Sequence, residues 1–366
     1  MPGNRIAFDL SLSEWEEWAA KESIPKYRAK QIFEWIFKKN NVNPATFSNL
    51  PAADREKLIG SFCWEPLRLD SKLVSKDGSQ KLLLITQDQL LIELVIMPYE
   101  NRITLCLSSQ VGCKMGCTFC QTGKMGLKRN LSSGEILAQL LLANLELGEQ
   151  RVSNVVFMGM GEPLDNYDAV VKACSTMINP EAFNLSKSRV TISTSGLVPE
   201  IRRLGKDLPV RLAISLHNPD NEKRSKLMPI NRRYNLEELK SALLEYPASP
   251  RHGITFEYVM IEGVNDSIQD AKKLVHFLHG MKAKVNLIPV NPFPGVAITA
   301  SSEERIREFQ NYLTFRSIPA PVRYSKGQDI SSGCGQLAAK RQEDLDKDPR
   351  KLHRERRLQL QNSDLF

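Results

Sequence analysis

Three cysteines in one short loop are the first residues of this chain whose types and spacing could do chemistry. Cys113, Cys117 and Cys120 are spaced C-x3-C-x2-C within LCLSSQVGCKMGCTFCQTGKMGLKRN, residues 105–130. Thiolate sulfur suits iron–sulfur clusters and also zinc. A closed structural site takes four ligands, and the nearest histidine in sequence is as far away as His217. Three thiolates fit a cubane cluster that keeps one iron open to bind something else. The alternatives are a zinc site completed from another part of the chain, or three packed thiols that hold nothing.

Other reactive groups stand apart from that loop. Cys334 lies between Gly333 and Gly335 in VRYSKGQDISSGCGQLAAK. Glycine on both sides lets the backbone approach a neighbour closely, an odd setting for a core thiol, so a reactive role is expected. Cys106 sits in an apolar run and reads by default as a buried structural cysteine. Cys63 and Cys174 match no motif and are expected in the core. Glu93, inside the apolar run of KLLLITQDQLLIELVIM (81–97), reads by default as facing water from one side of a hairpin strand.

The elements that must position these groups are legible as a series. Six short apolar runs end in polar or glycine residues: 102–109, 152–163, 188–196, 210–218, 254–263 and 284–293. Helical patterns such as SSGEILAQLLLANLEL and NLEELKSALLEY separate them. That alternation predicts β-α units on a parallel sheet. Gly161, Glu162, Ser193, Ser215, His217 and Asn291 fall where the runs end, which is where β/α barrels carry their sites. Six units make an incomplete barrel, open on one side to a large substrate. No internal repeat or low-complexity segment interrupts it.

Residues 9–60 read as a small helical module. Ser11 and Glu14 match a capping box. In KYRAKQIFEWIFKK, Ile32, Phe33, Ile36 and Phe37 share one helical face, leaving Lys26, Arg28, Lys30, Lys38 and Lys39 towards water. That basic face is either a plain solvated surface or a grip on RNA phosphates. The 366 residues are 42% hydrophobic and 25% charged, ordinary for a globular protein, with a net charge of +8 that hints at a polyanion. No apolar run spans a membrane and no signal peptide opens the chain, so a cytoplasmic protein is expected. Seven cysteines, an odd number, suit a reducing compartment.

Assembled, these pieces resemble the radical S-adenosylmethionine (SAM) adenine methyltransferases of ribosomal RNA, the RlmN/Cfr family, and its RlmN branch most. The likeness runs to about residue 340 and is carried by CKMGCTFC followed by GLKRNLSSGEI, then GMGEP (159–163), VTISTSG (190–196), AISLH (213–217), IPVNPFPG (288–295) and GCGQLA (333–338). The resemblance implies an α/β fold, an incomplete (β/α)6 radical-SAM barrel with a small N-terminal helical domain. It divides the chain into an RNA-binding accessory domain (1–75), the barrel with its cysteine loop (76–340) and a charged tail (341–366).

It also implies roles. Cys113, Cys117 and Cys120 would hold one [4Fe–4S] cluster. Gly161, Glu162, Ser193, Ser215, Leu216, His217 and Asn291 would contact SAM. Cys334 would take a methyl group from one SAM by displacement. A radical from a second SAM would activate that methyl to add to carbon 2 of an adenine. Glu93 would accept the ring proton, and Cys106 would attack the sulfur of Cys334 to release the product and leave a disulfide. The implied partners are 23S rRNA, tRNA and a low-potential electron donor of the flavodoxin or ferredoxin type, with no membrane and a monomeric chain. Two rival readings remain at this point: methylation of C8 of the same adenine, and a non-catalytic iron–sulfur or zinc RNA-binding protein.

Overall fold

A computed structural model describes residues 5–292, 296–330, 333 and 335–347. Eleven strands form: β1 (Leu67–Val74), β2 (Gln80–Thr86), β3 (Leu91–Tyr99), β4 (Arg102–Cys106), β5 (Gln110–Val111), β6 (Arg129–Asn130), β7 (Asn154–Phe157), β8 (Val190–Thr194), β9 (Arg211–Ser215), β10 (Ile254–Met260) and β11 (Ala283–Pro289). Nine of them make one sheet in the order β1-β2-β3-β4-β7-β8-β9-β10-β11. Every pairing from β4 to β11 is parallel. All six apolar runs read from the sequence are strands of this sheet, and a helix follows each. The fold is the incomplete (β/α)6 barrel that was expected.

The runs are apolar because the sheet is covered. All seven residues of β10 are buried, as in parallel sheets with helices packed on them. The helix Ser133–Glu146 starts with a reciprocal Ser132–Glu135 capping box. Within the helix, Gln139 bonds both ways with the Ser108 backbone at 2.9 Å, tying helix to strand end.

The N-terminal helices Leu12–Lys21, Lys26–Phe33 and Ala52–Ser61 enclose an aromatic core. Trp15 packs on Phe62 at 4.8 Å and Phe33 on Phe37 at 4.8 Å. The Ser11–Glu14 capping box forms, and Ile32, Phe33, Ile36 and Phe37 are buried. Asp9 fastens the module to the barrel by accepting from the Ser133 hydroxyl (2.7 Å) and the Gly134 amide (2.5 Å), at the positive end of the helix. Residues 67–74, within the stretch expected as the accessory domain, form β1. Its alternating exposure marks it as an edge strand with one wet face.

β1, β2 and β3 extend the sheet antiparallel from β4. Here one expectation is corrected. Glu93 does not face water; its side chain is 2% exposed, because the C-terminal segment of the chain crosses that face of the extension. That segment first runs along the free edge of β11, where the Arg323 amide donates to the Leu287 carbonyl (2.7 Å). It then reaches the β1–β2 turn. Asp329 accepts there from the Ser75 hydroxyl (2.5 Å) and the Lys76 amide (3.1 Å), while Asp77 accepts from the Gly327 amide (3.3 Å). The helix Gln336–Lys347 follows, anchored by Arg341 to Asp70 at 3.1 Å. Residues 293–295 of the IPVNPFPG motif, Cys334, and 348–366 of the charged tail lie outside the described residues.

If the β1–β2 turn is the seat of that segment, Asp329→Ala should loosen it. Limited proteolysis should then cut within 320–340 several-fold faster than in the unsubstituted protein, with cleavage of the N-terminal module unchanged. Equal rates at 320–340 would mean the segment is held by other contacts.

Candidate active site

The cysteine loop leaves the carboxyl end of β4 and is closed at its neck by a two-residue ribbon, Gln110 against Asn130 and Val111 against Arg129. Within it the Cys113 amide donates to the Gly126 carbonyl (3.2 Å) and the Cys120 amide to the Cys117 carbonyl (3.1 Å). The loop docks on the rim: the Thr118 amide donates to the Leu227 carbonyl at 3.0 Å. Phe119 sets its ring edge-on to His217 at 4.6 Å. Cys117 and Phe119 pack against an apolar group of Leu227, Met228, Val259, Ile261 and Val290.

The three thiols are neighbours. Burial pushes Cys113 up to about 12. It raises Cys117 too, and the charges of Cys120 and Cys113 raise it further. Among the described residues no three His, Cys, Asp or Glu side chains close on a single metal ion. The spacing of the sulfurs therefore does not itself choose between cubane and zinc.

The strand-end residues gather on the same rim. Gly161 follows β7 with φ +104°, and a Cβ there would lie 2.6 Å from the Cβ of Gln110, so only glycine fits. Glu162 is buried and spans two loops, accepting from the Ser195 amide (2.7 Å) and the Leu164 amide (3.1 Å). Burial raises its pKa and those amide bonds oppose the rise. Ser193 lies on β8 and Ser215 ends β9, both partly exposed. Leu216 is buried in the core. His217, at φ +58°, accepts from the Val259 amide through Nδ1 at 3.0 Å. Burial, with Arg224 nearby, lowers it to about 3, so it is a neutral acceptor. Asn291 follows β11 and donates to the Ser325 hydroxyl at 2.5 Å.

A second group gathers beside the cysteine loop. Cys106 is the last residue of β4, paired with Val95 on one side and Val156 on the other. It keeps some exposure rather than sitting in the core. Burial around the sulfur pushes the thiol up to about 12; the Lys81 charge pulls it down and Glu93 raises it. Glu93 pairs with Lys81 at 3.1 Å and accepts from the Gly335 and Ala338 amides at 2.9 and 2.7 Å. Gly335, at φ +76°, lies against the turn after Cys120: a Cβ there would be 2.4 Å from Thr122 Oγ1. The residues flanking Cys334 thus lie between the cysteine loop and the Lys81–Glu93 pair, whose charges reach Cys106. Cys63 and Cys174 are buried, as expected.

Sequence reasoning missed several rim residues. Arg224, fully buried, donates to the carbonyls of Leu216 (3.1 Å), Ser195 (2.7 Å) and Ser215 (3.1 Å) and to Asn231 Oδ1 (2.8 Å). Burial lowers it to about 10. Its setting, NEKRSKL, reads as a solvated helix and gave no signal. The buried atoms Ser109 Oγ, Ser195 Oγ and Asn218 Nδ2 find no partner among the described residues. Glu257 lies beside Ser215 in the sheet register and accepts from Asn286 at 2.9 Å.

On the N-terminal module, the expected basic face is partly paired: Lys26 with Glu16 (3.1 Å) and Lys30 with Glu181 (3.2 Å). Lys39 stacks over Trp35 at 3.5 Å.

Comparison with known proteins decides what this rim belongs to. Residues 107–278 match the model of the Radical SAM superfamily. Over 332 residues the chain is 45% identical to the dual-specificity RNA methyltransferase RlmN of Syntrophobacter fumaroxidans, covering 90% of this chain and 97% of that one. The RlmN of Campylobacter curvus is 46% identical over 350 residues, covering 91% and 93%. The chain belongs to the RlmN family of radical-SAM methyltransferases. A crystal structure of a radical SAM methyltransferase from Sphaerobacter thermophilus superposes with a TM-score of 0.87 at 44% identity, over 91% of this chain and 98% of that one. Membership sets aside the non-catalytic reading and brings with it a [4Fe–4S] cluster and SAM.

The residues present fit both. Burial raises all three thiols, and neighbouring cysteine charge raises Cys113 and Cys117 further, so ionising them together needs a cationic partner, which a metal cluster supplies. The unpartnered Ser109, Ser195 and Asn218 atoms are free polar groups for a ligand on the strand-end rim.

The rim carries a pH signature. Burial raises Glu257 from 4.5 to about 7, against Asn286, Lys284 and Arg323. A raised folded pKa means stability that is complete below about 4.5 and lost as pH rises through about 7. Wild-type protein should therefore lose on the order of 3 kcal/mol relative to Glu257→Gln between pH 4.5 and 8. Paired urea titrations across that range measure it, and parallel curves would show that Glu257 is not perturbed.

Proposed function

We propose that this enzyme methylates carbon 2 of an adenosine in 23S rRNA, and of an adenosine in tRNA anticodon loops, through a methyl-cysteine on Cys334. Relatives at 43–47% identity named dual-specificity RNA methyltransferase RlmN support RNA methylation with two specificities, and the choice of C2 follows the family resemblance. Cys113, Cys117 and Cys120 are the cluster ligands. Gly161, Glu162, Ser193, Ser215, Leu216, His217 and Asn291 form the SAM site, with Glu162 and Arg224 holding its loops. A cluster held by Cys113, Cys117 and Cys120 would supply the electron for reductive cleavage of SAM to methionine and a 5′-deoxyadenosyl radical.

The observation that carries the rest of the reading is the grip of Glu93 on the Gly335 and Ala338 amides, beside Cys106 and against the turn after Cys120. Cys334 would attack the methyl carbon of one SAM, with S-adenosylhomocysteine leaving. One hydrogen atom of that methyl would go to the radical from the second SAM, and the methylene carbon would bond to carbon 2 of the base, the adduct's surplus electron returning to the cluster. Glu93 takes the proton lost from the ring carbon. Cys106 then attacks Sγ of Cys334. The sulfur–sulfur bond forms as the sulfur–carbon bond breaks, its electron pair stays on carbon, and the proton of the Cys106 thiol completes the new methyl group. Burial keeps that thiol protonated until this step, since its pKa is held near 12.

The accessory domain (1–75) binds RNA through its basic helix face, and the chain acts as a cytoplasmic monomer with a flavodoxin- or ferredoxin-type donor. Among the described residues no helix is long and apolar enough to cross a membrane.

Cys106→Ala tests the assignment of the two thiols. The variant should load the cluster and methylate Cys334, then stop as a covalent RNA adduct, seen after nuclease digestion as a nucleotide on the Cys334 peptide. Free methyladenosine at near wild-type rate from Cys106→Ala would remove that residue from the mechanism.

A further inference from the structure

Lys81 is a buried charge that the chemistry above does not use. It lies on β2, its side chain 2% exposed, in the otherwise apolar run Leu82–Ile85. An ammonium that deep is unfavourable unless paired and hydrogen-bonded, and a strand needed only for packing would carry an aliphatic residue there. Its Nζ is 3.1 Å from Glu93 Oε2 and donates to the Gly333 carbonyl at 2.9 Å. On the other side of residue 334, the Gly335 and Ala338 amides donate to the two oxygens of Glu93.

The pair therefore presents a donor to the carbonyl before Cys334 and acceptors to the amides after it. Backbone polarity fixes that order, since Gly333 offers a carbonyl and Gly335 an amide. Exchanging the two residues would set donor against donor and acceptor against acceptor. Both charges also reach the Cys106 thiol. The same two residues thus hold the backbone on both sides of residue 334 and act through their charges on Cys106.

We propose that Lys81 is the positioning residue of the methyl-carrying loop, holding Gly333 directly and Gly335 through Glu93 and so setting the backbone on both sides of residue 334. The inference rests on the roles of Cys334, Cys106 and Glu93 given above. No bond to Lys81 forms or breaks: the ring proton goes to a Glu93 oxygen and Lys81 stays an ammonium. Without its cation, the Glu93 carboxylate loses its ion pair, the Gly333 carbonyl loses its donor, and the backbone around residue 334 is no longer fixed.

The test uses reconstituted holoenzyme and an RNA substrate, and reads the partition of enzyme between free methyladenosine and the Cys334 RNA adduct. Lys81→Met keeps the length and removes the charge. Free product should fall by about 100-fold, the scale of a misplacement near 1 Å, while the adduct fraction rises. Lys81→Arg keeps the cation with a wider head and should lie between Met and wild type. Iron content, methyl load on Cys334 and thermal melting are followed for each variant. A wild-type partition in either variant overturns the inference. So does a Lys81→Met protein that loses product and adduct together, in proportion to its loss of folded protein, since that is packing alone. If Lys81→Met does not fold, the partition in Lys81→Arg decides. Cys106→Ala runs alongside: failure to trap an adduct there overturns the roles of the two thiols and this inference with them. A trapped Cys106→Ala beside an unshifted Lys81 series overturns only the role of Lys81.

Discussion

Parallel pairing imposes one direction on β4 and β7 to β11, so their carboxyl ends share a rim, and the cysteine loop and the residues proposed to hold SAM hang from it. The same geometry leaves two unlike edges. On one side β4 continues into the antiparallel β3-β2-β1 extension; on the other the edge of β11 meets residues 319–323. A reactive residue coming from the end of the chain must be carried across that gap to reach the rim. The crossing segment is seated by its backbone: amides of Gly327, Gly335 and Ala338 and the carbonyl of Gly333 each find a charged side chain on the extension. Backbone groups away from regular structure have to be paired when covered, so these four contacts fix where the loop lies as well as holding it.

Buried charge is concentrated where the chemistry is. Arg224 satisfies three carbonyls at the ends of β8 and β9, and Glu162 holds amides in the loops after β7 and β8. Both sides of each contact matter. An unpaired strand-end carbonyl and an isolated guanidinium are each unfavourable in a low-dielectric rim, and together they compensate. These side chains do for loop backbone what a further strand would do.

Much of this was legible. The six apolar runs became six parallel strands because continuous burial leaves an unbroken apolar text, and the Ser11–Glu14 box formed because its chemistry is local. What failed was long-range. Glu93 was read as facing water because nothing near it in sequence reveals that residues 333–338 cover its face. β1 escaped notice because Asp70 and Lys72 break its pattern, and one of them is there to pair with Arg341 from the far end of the chain. Arg224 carries no local mark at all, since a buried arginine among Asn, Glu and Lys looks like any solvated helix. Glu93 and Cys106 drew attention through family resemblance, and the structure supplies the physical reason for it. The charges of the Lys81–Glu93 pair reach the thiol, and the pair grips the backbone on both sides of residue 334.

The basic surface shows how a sequence can be read correctly in composition and still leave the outcome to energetics. Lys26 and Lys30 face water as expected, but each meets a carboxylate, Glu16 and Glu181. Exposed pairs of this kind are worth only about 0–1 kcal/mol. A phosphate backbone offers the same lysines a denser negative charge and gains from the release of condensed counterions. The lysines can therefore exchange a weak internal partner for a stronger external one at small cost. Their present pairing keeps the surface ordered in the free protein without withdrawing it from a polyanion. Lys39 differs, because its ammonium already rests on the Trp35 ring, which is itself stacked on Phe47 at 5.2 Å. That arrangement holds the cation in place with no carboxylate partner among the described residues, so any polyanion that reached this face would find Lys39 already positioned.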